Sequence, residues 1–600
     1  MISSISVAKL LTNSSRSYFF HRPDQKFSRF KKYSTTTSSL NLQELLKAKE
    51  NSCLSFKDIA TQLGRSENWT AGLFYGQHQP NQSELSKLYQ LLESSASPTW
   101  VSKSTDTELQ LPRDIQHILQ LSCDENKLIT AQGWVRSIRK QKHVSFAELV
   151  DGSTPDHLQI VVSPIDTHHL QTGCAIRVLG HLVASRGGHQ TKELRATNVH
   201  LIGPCPPSDY PLQKKDHTKS FLRKIPHLRL RTPHTAALLR LRSSMISYAS
   251  SFLQNYQFIR VEAPLITFSD AEGAGEVFKV NSDHKSSTHT TQLGEIDKSQ
   301  SEFFGRQAFL TVSSQLHLEA LSASLSKVYH FGPTFRAERS STNRHLAEFW
   351  MLEAEMSFID DLQVLMDLVE HLIKSIILNM HQTKNSTPKD LQLLNAPLSS
   401  REAADTKWRR ISYSEAVETI CSYNQKTDAQ SPSLPPINWG EPLGSEHEKW
   451  LASSFAKGPV FVTDYPKSLK PFYVRESNSS QNHNTSSTST LANSVNQFAN
   501  EPVAACFDLL VPEIGEVAGG SLREPNLSSL RQNMLQKGII SLDSHETDPT
   551  YQWYLDLRQF GSAPSGGFGI GWERLVSWLA GIENVRECIA FPRLAGSGHC

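Results

Sequence analysis

The spacing of apolar residues changes several times along the chain. From Asn41 to about Ser95 they recur at helical intervals (Leu42, Leu45 and Leu46; then Phe56, Ile59, Ala60 and Leu63), and Gly64-Arg65-Ser66 interrupts them as a tight turn between two short helices does. Between Lys127 and Ile202 the period falls to two in the runs LITAQGWVRSI, VSFAELVDG, HLQIVVS, AIRVLGHLV and LRATNVHLIG, broken by glycine and asparagine. This pattern predicts a small five-stranded barrel, for which an OB-fold is the natural candidate. Pro204, Pro206 and Pro207 then open a hinge, and Thr232-Pro233 supplies an N-cap and a first-turn proline for a long amphipathic helix running toward Gln254. The rest mixes helical segments with strand-like runs such as AFLTV and PVFVTDY. Ser477 to Ala499 is rich in serine, asparagine and threonine with almost no apolar anchors, so it cannot bury enough surface to offset the entropy of ordering.

These changes divide the 600 residues into an expected leader over 1–40, a small helical unit over 41–95, a linker over 96–126, a barrel over 127–203, a hinge over 204–232 and a large α/β region over 233–600. The expected class is α+β and multidomain. With 38% hydrophobic and 20% charged residues the composition is that of an ordinary globular chain, and no apolar run approaches the roughly 18 residues of a membrane span, so no membrane partner is expected. The eight cysteines stand far apart with no C-x-x-C pair, which signals neither a zinc site nor a disulfide framework. The leader carries Lys9, Arg16, Arg22, Lys26, Arg29, Lys31 and Lys32 against the single acid Asp24 and is rich in serine and threonine. That composition matches a mitochondrial transit peptide and places the expected product in the matrix, although a solvated basic tail drifts to the same composition.

Two clusters carry candidate chemistry. Phe335-Arg336-Ala337-Glu338, a polar stretch to Arg344, and His345-Leu346-Ala347-Glu348-Phe349 suit two strands joined by a charged loop. An arginine held on a rigid strand stabilises charge at a reacting phosphorus without reorganisation, although for one such arginine alone a solvated hairpin charge is the better reading. The second cluster is Gly567-Phe568-Gly569-Ile570-Gly571-Trp572-Glu573-Arg574, where alternate glycines let a strand and the following helix approach a ligand at backbone distance. Its spacing is neither the dinucleotide-binding nor the P-loop one.

Together the clusters resemble motifs 2 and 3 of the class II aminoacyl-tRNA synthetases, and Phe258-Ile259-Arg260-Val261-Glu262-Ala263-Pro264 resembles motif 1. The resemblance implies an antiparallel sheet flanked by helices, a homodimer built on motif 1, and an ATP site. In that site Arg336, with Glu338 beside it, holds the α-phosphate, Arg574 the γ-phosphate, and Phe349 stacks on adenine. It also implies contact of His345 with the terminal phosphates, against an equal case for a hydrogen-bonded loop histidine. Asp508 and Glu516, within FDLLVPEIGEVAGGSLRE, match the positions that bind Mg2+, although paired acids read without the family are more often surface charges.

A barrel ahead of the catalytic region resembles the aspartyl, asparaginyl and lysyl subgroup, and FRAERSSTNRHLAEFWMLEAEM, YPKSLKPFYVR and GIENVRECIAFPR resemble the asparaginyl type. In the aspartyl enzymes the motif matching Ser313-Ser314-Gln315-Leu316-His317-Leu318 ends in a lysine that neutralises the substrate carboxylate; here that position is Leu318. Arg523 and Glu353 match the remaining cation and anion, and Glu272 and Gln315 match positions that hold the α-amino group. An amide presents a carbonyl acceptor and an NH2 donor to such a pair, whereas a carboxylate roughly 4 Å from Glu353 would be repelled by about 4 kcal/mol at an effective dielectric near 20. The implied substrates are asparagine, ATP and tRNA(Asn). In the barrel, Phe146 and Gln159 match the residues that stack and pair the middle anticodon base, with Arg136, Arg139, Lys140 and Lys142 as a basic rim; barrel core is the alternative for Phe146.

Two other functions use some of the same features. A synthetase-like ligase amidating aspartate with ammonia would share the catalytic scaffold. The run LSFKDIATQLGRSENWTAGLFYGQ resembles the amino-terminal helical domain of cyanate hydratases, whose helix-turn-helix form could serve a DNA-binding regulator, but it lacks a dense Arg/Lys stripe and a protein-contact or spacer role is favoured.

Overall fold

The computed structural model describes Lys49 and most of residues 55–91, and residues 112–596 apart from 186, 188–189, 214, 270–275, 282–302, 341, 383–386, 427–432, 478–500 and 542–549. The expected leader, the polar insert over 477–499 beyond Ser477, and Glu272 lie outside the described residues. The chain forms two compact units, one ending at Leu111 and one starting at Pro112.

In the first unit, α1 (Phe56–Leu63) and α2 (Glu67–Phe74) are the two helices that the apolar spacing predicts. Ser55 and Asp58 form a capping box at the start of α1, and Gly64 closes it at φ +68°, a left-handed position that suits glycine. Ile59, Leu73, Phe74 and Leu88 make its core.

The second unit begins with the barrel. Helix α3 (Ile115–Gln120) precedes β1 (Asp124–Lys140), β2 (Ser145–Val150), β3 (Leu158–Val162), β4 (Ala175–Ala184) and β5 (Lys192–Gly203), which close in the order β1-β2-β3-β5-β4. Alternate residues such as Ala147, Leu149, Leu158, Ile160 and Ile176 fill the interior. The sequence reading places a linker over 96–126, but Ile115 and Ile118 of α3 are fully buried in the barrel core. The barrel satisfies the ends of this helix: Ile115 donates its backbone N–H to Asp151 (2.7 Å), and Lys192 donates to the carbonyls of Leu119 (2.6 Å) and Leu121 (2.5 Å).

The expected hinge over 204–232 likewise ends in structure, two short helices at Lys219–Lys224 and Pro226–Arg229. Arg229 is 1% exposed and donates to Glu587 (3.0 Å) and to the carbonyl of Ile589 (2.5 Å), so this segment is anchored to the carboxyl-terminal end. Helix α4 (Pro233–Asn255) starts as predicted, with Thr232 accepting from the Thr235 N–H.

The catalytic region is built on an eight-stranded sheet. Its strands come from β6 (Ile259–Arg260), β10 (Lys327–Phe335), β11 (Glu348–Ser357), β12 (Arg409–Ser412), β13 (Val460–Thr463), β14 (Cys506–Val511), β15 (Gly515–Leu522) and β16 (Ser565–Gly571), ordered β12-β13-β14-β15-β16-β11-β10-β6. A small second sheet joins β7 (Ile266–Thr267), β9 (Ala308–Leu310) and β8 (Lys279–Val280). Helices α5 (Gln315–Leu325), α6 (Leu362–Gln382), α7 (Gln552–Gln559) and α8 (Trp572–Ala580) complete the framework used below. Leu352, Ala354, Phe568 and Ile570 pack with Leu241, Ile373 and Leu575 of α4, α6 and α8, so one face of the sheet is closed by helices. The alternate residues of the same strands face the other way, and there the cavity opens.

Candidate active site

A cavity of about 450 Å³ lies on that open face. It brings together Gln315, Arg336, Glu338, His345, Phe349, Glu353, Asp508, Glu516, Arg523 and Arg574, every expected catalytic-region site residue except Glu272. The alternation of β11 explains four of its walls, because Phe349, Met351, Glu353 and Glu355 occupy successive positions on one face. Their neighbour β16 pairs Glu353 with Gly569 and Glu355 with Gly567. A Cβ at Gly567 would collide with the Glu355 carboxylate and the Ala354 carbonyl and lie 2.8 Å from Arg523 Nη2, so here glycine is required by space.

At one end of the cavity, the two arginines from distant motifs act on common surroundings. Arg574 donates to the Glu516 carbonyl (2.9 Å) and carboxylate (3.2 Å), and the Arg336 guanidinium lies 5.4 Å from the Phe349 ring centre. Burial would raise the Glu516 carboxyl, yet Arg574, Lys470 and Arg336 hold it below its ordinary range. Burial raises the Asp508 carboxyl, Lys470 opposing and Glu516 adding to the rise. His345 is lowered by burial, only partly countered by Glu338 at 3.4 Å, and further lowered by Arg574, Arg344 and Arg336, which favours a neutral imidazole near pH 7. The acid of the last motif is a structural anchor: Glu573 binds Arg242 of α4 at 2.7 Å and accepts the Trp350 N–H at 3.0 Å.

Several members of the site were not singled out from the sequence. Lys470 contacts Asp508 at 2.7 Å, and although burial works against its charge, Asp508 and its neighbours more than offset that. Its signal in the sequence is the run YPKSLKPFYVR. Arg344 of the charged loop is held by Glu448 at 2.8 Å, and Glu448 also accepts the Glu516 N–H at 3.3 Å. Burial pushes the Glu448 carboxyl up, with Glu516 adding and Arg344 opposing.

At the other end of the cavity the fork of Arg523 closes on Glu355, a residue not singled out from the sequence, with Nε 3.0 Å and Nη2 2.7 Å from its oxygens. Glu353, two residues earlier on the same face, accepts from the Ser313 hydroxyl (2.6 Å) and the Ser314 N–H (3.0 Å). The reason is register, since Glu355 stands opposite the glycine that leaves room for the guanidinium. Burial pushes the Glu355 carboxyl up to about 7 despite Arg523, and Glu319 adds to the rise. Gln315 donates to Glu319 at 3.2 Å. Leu318 is 1% exposed, packs with Val261 and Val328, and borders the cavity.

On the barrel, Phe146 and Gln159 lie on the outer face. Ser145, Ala147 and Leu149 are the buried positions of β2, which places Phe146 outside the core, and Arg139 lies 5.9 Å from its ring centre. Register sets Phe146 opposite Val161 and Glu148 opposite Gln159, so an aromatic and an amide share one surface; Gln159 donates to Glu193 at 3.2 Å. Arg136, Arg139, Lys140 and Lys142 are all exposed.

A closed five-stranded barrel ahead of a sheet that is antiparallel from β13 to β10, with parallel pairs only at its two edges, and that carries this two-arginine cavity defines a class II tRNA synthetase. The family model "tRNA synthetases class II (D, K and N)" matches residues 218–595, and that of the "OB-fold nucleic acid binding domain" matches 129–202. An asparagine–tRNA ligase of Microcystis aeruginosa is 41% identical over 78% of this chain and 95% of its own, and a mitochondrial one of Schizosaccharomyces pombe is 40% identical over 82% and 99%. The solved asparaginyl-tRNA synthetase of Pyrococcus horikoshii complexed with asparaginyl-adenylate superposes with a TM-score of 0.65 at 27% identity, covering 79% of this chain and 96% of that one. The chain belongs to the asparagine–tRNA ligase family.

Proposed function

We propose that this protein activates asparagine with ATP and transfers it to tRNA(Asn). The observation that carries the reading is a single cavity with Arg336 and Arg574 at one end and Arg523 with Glu353 at the other. Arg336 binds the α-phosphate, Arg574 the γ-phosphate and Phe349 the adenine; neutral His345 donates to the terminal phosphates through Nε2, its Nδ1 lying 2.5 Å from the Thr342 hydroxyl. Arg523 retains N–H groups that its contacts to Glu355 and Ser521 do not use, and these donate to the amide carbonyl while Glu353 accepts from the amide NH2. Gln315 and Glu272 receive the α-amino group. Asparagine-dependent exchange of pyrophosphate into ATP tests the reading; a purified protein that instead releases free asparagine from aspartate and ammonia would replace it.

Asp508 and Glu516 suit Mg2+ by their chemistry and placement. They offer hard oxygen donors, and both approach the side-chain position that Gly519 leaves empty, at 3.3 and 3.6 Å. Among the described residues no third acid, histidine or cysteine joins them as a metal cluster, which fits an ion that completes its shell with phosphate and water. The chemistry the ion supplies when bound is neutralisation of phosphate charge.

The anticodon face is proposed at Phe146 and Gln159. Phe146→Ala is expected to weaken tRNA binding by roughly 1 to 3 kcal/mol, the worth of one base stacked on an aromatic ring. Asparagine-dependent pyrophosphate exchange without tRNA would stay near wild type; an unchanged tRNA KM would remove Phe146 from this role.

A homodimer is proposed through motif 1. Edge strand β6 leaves Ile259 46% exposed, and Leu265 and Ile266 follow at 39% each. Import into the mitochondrial matrix is proposed from the basic, acid-poor leader and from likeness to the mitochondrial relative. For the first unit we keep the likeness to the amino-terminal domain of cyanate hydratases and a protein-contact or spacer role. No helix among the described residues is long and apolar enough to cross a membrane.

A further inference from the structure

Behind the amino-acid end of the cavity lies a charged cluster of which the proposed chemistry uses only Arg523. Glu319, one turn along α5 from Gln315, has a side chain only 2% exposed and four polar neighbours. It accepts from Arg558 Nη2 at 2.5 Å, from the Tyr554 hydroxyl at 2.8 Å and from Gln315 Nε2 at 3.2 Å, and it lies 3.7 Å from Arg523 Nε. Arg558 and Tyr554 both come from α7, and Arg558 also donates to the Glu524 carbonyl at 3.0 Å.

These contacts join two cations and two anions. Arg558 pairs with Glu319, Arg523 pairs with Glu355, and Glu319 bridges both guanidiniums. With both carboxylates ionised the quartet is neutral as a set, and all its side chains are 5% exposed or less. Glu353 stands outside it, accepting from the neutral donors Ser313 and Ser314. In a poorly screened pocket the balance of these charges decides whether another negative charge can enter.

We propose that Glu319 is a positioning residue for amino-acid selectivity: it compensates Arg523 from behind, so that this guanidinium donates hydrogen bonds to a neutral side-chain carbonyl without drawing in a carboxylate. The inference rests on the reading of this end as the amino-acid pocket. Glu319 also fixes Gln315, which ties recognition of the α-amino group to recognition of the side chain.

Glu319→Gln removes one negative charge with little change of shape. Pyrophosphate exchange is measured with asparagine and with aspartate, and the ratio of the two kcat/KM values is the readout. The variant is expected to lower the asparagine-to-aspartate ratio by roughly tenfold to a hundredfold, mainly through a lower KM for aspartate. Adding Arg558→Met, which restores the charge balance, is expected to return most of the preference. A Glu319→Gln protein that loses activity toward both amino acids in proportion, with the ratio unchanged, would mark the residue as merely structural and overturn the proposal. Should this variant fail to fold, Arg558→Gln gives the complementary test: it leaves Glu319 to Arg523 alone, so aspartate use must fall relative to asparagine, and a rise overturns the proposal. A wild-type protein that does not activate asparagine would defeat the pocket reading itself, an outcome distinct from all of these.

Discussion

Arg336→Ala is expected to lower kcat for asparagine-dependent pyrophosphate exchange by on the order of a thousandfold, the usual cost of removing an arginine that stabilises charge at a transferring phosphoryl group. The placement of the residue is what makes the effect large. Arg336 directly follows β10, its N–H is bound to the Ala347 carbonyl at 3.0 Å, and the next N–H is bound to Glu276 at 2.9 Å. Its guanidinium is therefore carried on a fixed backbone and needs little rearrangement during reaction. The KM values for ATP and asparagine should change much less, because charge builds at phosphorus only as the adenylate forms. Arg336→Lys should recover only part of the rate, since an ammonium cannot reproduce the planar fork of an arginine. Single-turnover adenylate formation within tenfold of wild type in Arg336→Ala would remove this residue from the α-phosphate.

What the sequence made legible was whatever lies close together along the chain. Arg336 and Phe349 sit on one hairpin and Gly567 to Arg574 on one strand-to-helix turn, so their chemistry could be read as local motifs. The barrel was visible because its strands bury alternate residues, as β2 and β3 do without a break. Helix α3 was missed because six residues carry too little periodicity to distinguish a helix from a linker, and its capping partners Asp151 and Lys192 lie far along the chain. Strands β6 to β8, of two residues each, have no period to detect, whereas β9 falls within the strand-like run AFLTV. The Arg523 pairing was missed for a related reason. Glu353 and Glu355 share a face and have the same chemistry, and only their register against β16 places one of them beside the guanidinium, 168 residues away in sequence. Glu319 and Arg558, 239 residues apart, left no local pattern at all.

Leu318→Lys is the second large effect, and it tests the substrate side of the cavity as Arg336→Ala tests the nucleotide side. Leu318 precedes Glu319 on α5 and borders the cavity that also holds Glu353 and Glu355. A lysine there places an ammonium where the pocket now has an alkyl wall, in the cavity that Glu353, the carboxylate outside the quartet, also lines. The repulsion expected against aspartate, about 4 kcal/mol for like charges roughly 4 Å apart at an effective dielectric near 20, is then largely cancelled. The ratio of kcat/KM for asparagine over aspartate should fall by about a hundredfold, with aspartate gaining and asparagine losing. The substitution also replaces a 1%-exposed leucine packed on Val261 and Val328, so a stability loss of roughly 1 to 3 kcal/mol is expected. Leu318→Met separates the two contributions: it disturbs the same packing without charge and should keep the wild-type preference. An unaltered preference in Leu318→Lys, with the protein folded, would mean that this wall does not face the substrate side chain, and selection would then rest on Glu353 and the charge quartet alone.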